Sequence, residues 1–537
     1  MKDQRQPRIL IADELAPVAM EVFRRRGLEP EVRTGLSPDA LIEAAREVDA
    51  IVVRSASKIT RQVIENATHL RVIGRAGIGV DNIDIHAATE HGVVVMNTPH
   101  GNATTTAELA VALMLGLARH LPQADRMVRS GVWKKKRLMG TEVAGKTLGV
   151  IGLGRIGRLV AERGRGLGMK VCGHDPYLEV EGVGTAVPGV ELLELDTLLE
   201  RADFVSLHVP LTDSTRNLIS WKRLANIKEG ARLIHVSRGG VVDEEAVLDA
   251  LNSGRLAGAA FDVFCEEPPP KDHPLLQRDD VLLTPHLGAS SEEAQLRVAS
   301  DIAEEISTFL LEGVAENALN APSLPADALQ ELAPFLLLAE KLGSFLAQKI
   351  DGPMRKVEFE VAGEVTRFGV DHLRLAFLVG CLRHSLDTPV NFVNAPTLAR
   401  ERGILILENS QEEANYRQGE IRVRASERTG GKIHSIRGAV FGRDPRITAI
   451  ENVHLDLPLR GPLLATRHRD LPGVLGAIGQ VLGRHQVNIR RLELGPSREG
   501  SEELAYGFLT LYSDPPQEAV AEVAQLEAIE QVQLIRL

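Results

Sequence analysis

The chain has 537 residues, of which 44% are hydrophobic and 25% charged, and its 62 basic and 73 acidic side chains leave a net charge of −11. This is the balance of a globular protein of three or four domains, and it excludes a broad basic surface for nucleic acid. Cys172, Cys265 and Cys381 are too scattered for a disulfide framework or a zinc site, and no leader or membrane-length apolar run is read, so a cytoplasmic protein without metal or membrane partner is expected.

From the N-terminus, apolar runs at 8–12, 31–34, 50–54, 70–74 and 92–97 alternate with helical segments at 16–26 and from Pro38. Strands alternating with helices form a parallel sheet covered on both faces. Ligands of such sheets bind beyond the carboxyl ends of the strands. The residues there are Arg54 and Ser55, then Arg75 and Gly77, then Asn102. Two arginines and two glycine-rich loops on one rim predict a binding edge for a small anionic substrate. A long helix is predicted over 104–121. The basic run 134–137, which includes Lys135, reads either as a solvated face or as an anion-steering patch.

The apolar run 148–151 ends in Gly152-x-Gly154-x-x-Gly157, a helical segment follows, and a second run at 170–173 closes on Asp175. This is the strand, glycine turn, helix, strand and acid of a dinucleotide site. Gly152 permits the tight turn, Gly154 lets backbone approach a pyrophosphate, and Gly157 lets the helix pack on the strand. The helix N-terminus then faces the anionic diphosphate. Asp175, 18 residues after Gly157, suits a ribose 2′-hydroxyl and would repel a 2′-phosphate, which predicts NAD rather than NADP.

Further strands are predicted at 203–209, 231–236, 258–262 and 281–284. The last three lead into Arg238, Glu267 and His286, so an arginine, a carboxylate and a histidine share one sheet edge. Arginine holds a carboxylate through paired hydrogen bonds, and histidine exchanges a hydroxyl proton near neutral pH. A carboxylate on the second imidazole nitrogen fixes the tautomer and favours the imidazolium. Beside a nicotinamide, such a set transfers hydride at the carbon of a 2-hydroxy or 2-oxo acid.

The segments GRAGIGVDNID from Gly74, NTPHGNATTTAELA from Asn97, GLGRIG from Gly152, SRGGVVDEEAVL from Ser237, DVFCEEPP from Asp262 and TPHLGAS from Thr284 resemble the D-isomer-specific 2-hydroxyacid dehydrogenases over about the first 320 residues. The resemblance implies that Arg238 binds the substrate carboxylate, His286 is the acid/base and Glu267 its partner. It places cofactor contacts on Ile78, Arg155, Ile156, Asp175, Val209, Val236, Ser237, Arg238, Asp262, His286, Leu287, Gly288 and Ala289, besides the three glycines. Threonine is common in relatives at the position of Ile78, so a hydroxyl contact is lost there. It also implies a Rossmann-type NAD domain (99–289) inserted in a flavodoxin-like substrate domain (1–98 with 290–318), the helix 290–312 crossing back to the first sheet.

Residues 317–325 read as a linker. Beyond it, helices at 333–350 and 371–386 and strands at 355–361, 404–408, 420–425, 432–441 and 448–453 predict an α+β intervening domain over 319–456, with no catalytic constellation. In 460–537 the order of strand 463–467, helix 471–483, strands 487–494 and 505–512, helix 517–526 and run 532–537 predicts a ferredoxin-like sandwich. His468 to Leu475 with Asn488 downstream resemble an ACT regulatory domain, implying edge-to-edge pairing and an amino-acid ligand. The whole combination resembles the long-form members of the family that oxidise 3-phosphoglycerate. That implies cations for the phosphate, with Arg54, Arg75 and the 134–137 run available, and L-serine as the effector at His468, Asp470 and Asn488. A homotetramer follows from the family and a homodimer from the ACT edge alone. Two other functions share these motifs: a glyoxylate or hydroxypyruvate reductase, and a non-catalytic NAD-sensing corepressor.

Overall fold

The computed structural model describes residues 5–178, 187–322, 326–350, 352, 354–386, 389–414, 416, 418–427, 433–497 and 504–537. The last residues of the predicted linker, 323–325, and the first of the predicted strand 432–441 lie outside them.

Four sheets follow one another. The first is parallel, in the order Glu31–Val32, Ile9–Ile11, Ala50–Val53, Val72–Arg75, Val94–Asn97. This is the flavodoxin-like order, and all its strands but the exposed edge strand Glu31–Val32 are largely buried apolar runs, because helices cover both faces. The second sheet has seven parallel strands, with Thr147–Ile151 between Lys170–His174 and Phe204–Leu207. The sheet reverses direction there, and that reversal opens the crevice used by dinucleotide folds. The chain leaves and returns: the helix Glu292–Glu312 places Val298, Ile302 and Ile306 in the core of the first sheet. A strap then follows it, in which Leu319 N–H donates to Val95 C=O and Asn320 accepts from Val95 N–H.

The third sheet is mixed, in the order Leu405–Gln411, Met354–Ala362, Glu420–Glu427, Ile433–Phe441, Asp444–Ile450, Val453–Pro458. The fourth is antiparallel, in the order Ile489–Ser497, Leu504–Leu511, Pro462–Arg469, Ile529–Arg536. With the helices Val474–Arg484 and Gln517–Ala524 it forms the ferredoxin-like sandwich. Strand alternation decides which side each residue serves. Leu464 and Leu509 pack under those helices, while Leu463, Ala465 and Phe508 face the core of the third sheet. Among the described residues, no helix is long and apolar enough to cross a membrane, and no group of acidic, histidine or cysteine side chains has the geometry to hold a metal.

Three predicted elements differ. The helix expected over 104–121 is Ala103–Ala118, stopped where His120 takes a left-handed backbone (φ 52°), and a second helix, Leu121–Arg129, follows. The helix expected over 333–350 is Ala326–Lys349, with Pro334 inside it; the alanine, leucine and glutamate residues upstream are strong helix formers and carry it across the proline. The strand expected over 448–453 is instead a hairpin, Asp444–Ile450 and Val453–Pro458, turned at Glu451 (φ 51°). A two-residue hairpin turn needs positive φ, and Glu-Asn supplied a weak signal for it.

Candidate active site

The glycine turn meets its steric demands. Gly152 has φ 88°, and a Cβ there would lie 2.7 Å from the His208 carbonyl. A Cβ on Gly157 would come within 1.9 Å of the Gly152 carbonyl. Gly154 faces open space at the start of the helix Arg155–Gly166. Asp175 is held at its strand end by N–H groups of Leu153 (2.9 Å) and Tyr177 (3.1 Å), one on each oxygen.

Beside this turn lies a cleft of about 390 Å³ between the first two sheets. Its lining includes Arg75, Ile78 and Asn102 from one side and Gly154, Arg155, Ile156, Val209, Val236, Ser237, Arg238, Asp262, His286, Gly288 and Ala289 from the other. The residues fit a dinucleotide. The turn leaves room at Gly154, the helix end is uncapped by any side chain, and buried Asn102 Oδ1 and His208 Nδ1 have no partner within the protein.

His286 stands on a strained turn, at φ 53°. Asp262, 1% exposed, holds that turn. Its Oδ1 accepts from Thr284 Oγ1 and Leu287 N–H (both 2.7 Å), and its Oδ2 from Gly288 N–H (3.0 Å). Thr106 Oγ1 donates to the Gly288 carbonyl at 2.7 Å. Asp262 thus builds the histidine turn with both oxygens. His286 Nδ1 lies 2.7 Å from Glu267 Oε2, which leaves Nε2 for the cleft. Glu267 Oε1 accepts from Phe264 N–H at 3.0 Å. Burial pulls the Glu267 carboxyl upward, but the hydrogen bonds from His286 and Phe264 and the charges of His286 and Arg238 outweigh it, so the carboxyl titrates below its ordinary range.

Arg238 is anchored on two sides. Nε donates to Asp81 Oδ2 (2.8 Å) and Nη1 to the Ser237 carbonyl (2.7 Å). Gly79 lies so close that a Cβ there would sit 1.8 Å from Nη2. Asp81 comes from the first sheet's side, so this ion pair spans the cleft. Asp81 and the lining residues Gly79 and Pro99 lie in the rim loops that the sequence singles out, without a site role of their own, and Thr106, His208 and Pro210 are further lining residues to which the sequence gives no role. Asp81 lay inside a motif already noted, but its partner is 157 residues away. Burial, reinforced by the nearby charge of Arg238, lowers the Arg75 pKa to about 10, which still leaves a cation at neutral pH. Its buried Nε has no partner.

Other candidates stand apart. Arg54 donates to the Glu14 carbonyl and reaches Arg75 only through its charge; Ser55 is exposed at the strand end, and Gly77 (φ 148°) lies against the Arg75 guanidinium. Lys135 is exposed on the turn Lys135–Leu138 and does not line the cleft of its own chain. In the fourth sheet, His468 is 3% exposed and contacts Thr466 Oγ1 at 3.3 Å. Burial depresses its pKa, opposed by Asp470. Asp470 follows the strand end paired to Leu504, whereas Asn488 precedes the strand start paired to Leu511. These are opposite ends of the sheet, about 25 Å apart at the strand rise, so one copy of the chain does not bring Asp470 and Asn488 together.

Three family models match the chain: the D-isomer specific 2-hydroxyacid dehydrogenase NAD binding domain over residues 111–288, the D-3-phosphoglycerate dehydrogenase intervening domain over 331–451, and the ACT domain over 463–531. The D-3-phosphoglycerate dehydrogenase of Methanocaldococcus jannaschii is 41% identical, over 99% of this chain and 100% of that one. The D-3-phosphoglycerate dehydrogenase of Archaeoglobus fulgidus is 40% identical, over 97% and 98%. Among solved structures, the TT0316 protein of Thermus thermophilus aligns with a TM-score of 0.54 at 36% identity, covering 58% of this chain and 99% of that one. Matched from end to end and through all three domain models, the chain belongs to the D-3-phosphoglycerate dehydrogenase family.

Proposed function

We propose that this chain oxidises 3-phosphoglycerate to 3-phosphooxypyruvate with NAD, the entry step of L-serine synthesis. The observation that carries the reading is the His286–Glu267 contact of 2.7 Å in a cleft shared with Arg238 and the glycine turn. Arg238 takes the substrate carboxylate and, with Asp81, fixes its orientation. His286 Nε2 removes the C2 hydroxyl proton, and Glu267 offsets the charge this places on the imidazole. Bound NAD supplies the acceptor for the C2 hydride. Asp175, held at its strand end by Leu153 and Tyr177, supports NAD over NADP, since a carboxylate after this glycine turn would repel a 2′-phosphate. Arg75, cationic and with an unused buried nitrogen, is the strongest anchor for the phosphate, with Arg54 adding charge.

The assembly is a homodimer or homotetramer. The helix Leu121–Arg129 buries none of its residues, and Leu121, Val128, Trp133 and Met139 are 54–80% exposed, a surface suited to a second copy. Lys135 lies on the same arm and would serve a neighbouring cleft. L-serine touching both Asp470 and Asn488 would sit between two copies of the fourth sheet, beside His468. The site of action is the cytoplasm.

The test compares kcat/KM for 3-phosphoglycerate and D-glycerate. A charge-paired phosphate gives the phosphorylated acid an advantage of about 100-fold or more. Equal values would overturn the assignment in favour of a hydroxypyruvate reductase, and NADH binding without any turnover would favour the corepressor.

A further inference from the structure

A second cavity lies where the first sheet's unit meets the third, remote from the dinucleotide cleft. Its volume is about 600 Å³, larger than the cleft and within the range of small-molecule sites. Leu70 and Phe309 form its floor on one side, Leu336 and Leu375 on the other. At the rim the Arg71 guanidinium lies 5.5 Å from the Phe309 ring centroid. No carboxylate among the described residues pairs with Arg71. The acid nearest in the lining, Asp49, is already held by Arg5 Nη2 (3.0 Å) and Arg8 N–H (2.8 Å). His91 ties Nδ1 to the Ala87 carbonyl at 2.9 Å, and Asn391 clamps the mouth by donating to the Gly92 carbonyl at 2.7 Å. The geometry here does not hold a metal.

We propose that this junction is a second ligand site, which takes an organic anion: a carboxylate or phosphate carried on an apolar or aromatic body. Arg71 pairs with the anion in the charge-assisted manner, and the body lies on Phe309 between the two leucine walls. Because the walls come from two units, an occupant ties them together. Leu70 and Arg71 precede the strand Val72–Arg75, and Gly92 and Val94 stand at the start of Val94–Asn97. The opposite ends of those two strands carry Arg75 and lead to Asn102 in the cleft. Two rigid rods of four residues, about 13 Å each, thus join the junction to the substrate edge.

The probe is 8-anilinonaphthalene-1-sulfonate, an aromatic sulfonate, titrated by fluorescence onto the full chain saturated with NAD so that the cleft is filled. One saturable site per chain is expected. Arg71→Ala weakens it about tenfold, as loss of one charged contact should, and Leu336→Trp abolishes it by filling the space. Competition by 4-phenylbutyrate or by phenyl phosphate tells the carboxylate from the phosphate. Absence of saturable binding, displacement by neither anion, or equal binding in wild type and variants would overturn the site. Arg71 is exposed and its replacement leaves the core intact, so the Arg71→Ala and Arg71→Lys pair decides the matter alone if Leu336→Trp does not fold. The readout is binding, so it stands apart from the assignment of the substrate.

Discussion

Two junctions of the molecule are built from opposite materials. Between the first and second sheets, the ion pair of Asp81 and Arg238 is made beside a void. Between the third and fourth, Leu463, Ala465, Phe508 and Ile535 belong to the same apolar cluster as Leu338, Phe345 and Phe359. Gln348 adds hydrogen bonds to both backbone groups of Arg536. Polar contacts across a cavity can be exchanged for contacts with a ligand at little net cost, whereas a shared dry core cannot be parted without exposing it. The catalytic pair is therefore built to change around a substrate, and the C-terminal pair to move as one body.

The sharpest way to break that comparison is Phe345→Ala. Phe345 is 1% exposed and sits opposite Ala465 and Phe508. The truncation should cost about 3–5 kcal/mol. Calorimetry should show the third and fourth sheets still melting in one transition, at lower temperature, with the N-terminal half unmoved. Two separate C-terminal transitions would mean that the core is not shared.

Glu267→Gln tests the polar side. On the proposed mechanism, His286 gives its proton to the oxo acid during reduction, so that direction should fall off toward alkaline pH. Glu267 titrates below its ordinary range, so it stays ionised across the assay and favours the imidazolium throughout. Removing that charge should move the alkaline fall-off to lower pH by about one unit and cut kcat about 10- to 100-fold. Thermal stability should hardly change, since the pair is half-exposed. An unmoved profile would dissolve the pairing.

What the sequence disclosed, and what it hid, follow the same division. Arg238, Glu267 and His286 were legible because strand ends of a parallel sheet must share an edge, a rule that needs no tertiary detail. The glycine turn was legible because only one residue type survives a 1.9 Å approach. Asp81 was not, because nothing local announces a partner that the fold brings in from another unit. The resemblance puts Asp262 among the cofactor contacts; it lines the cleft, and its oxygens also build the turn around His286, which local sequence does not announce. The hairpin at Glu451 was missed because a single positive-φ residue inside an apolar run leaves the alternation almost intact. Lys135 lies outside the cleft lining of its own chain and Asn488 at the other end of the sheet from Asp470, and a single chain's sequence carries no address for a second copy.

Asp81→Asn is the smallest and most discriminating of these changes. Two nitrogens of Arg238 are taken, Nε by Asp81 and Nη1 by the Ser237 carbonyl, and the third, Nη2, lies against Gly79, where a Cβ would come within 1.8 Å. Losing the carboxylate leaves a guanidinium still charged and still near the cleft, but free to turn. Asp81 is 63% exposed, so the pair contributes little to folding, and the melting temperature should stay within about 2 °C. Binding of the substrate carboxylate should suffer instead, with KM rising about three- to tenfold and kcat nearly constant, because the loss falls equally on ground and transition states. Asp81→Glu, which keeps the charge on a longer arm, should recover part of it. A variant with unchanged KM would show that Arg238 is oriented by its own strand alone, and the first two sheets would then meet at the cleft without an ionic latch.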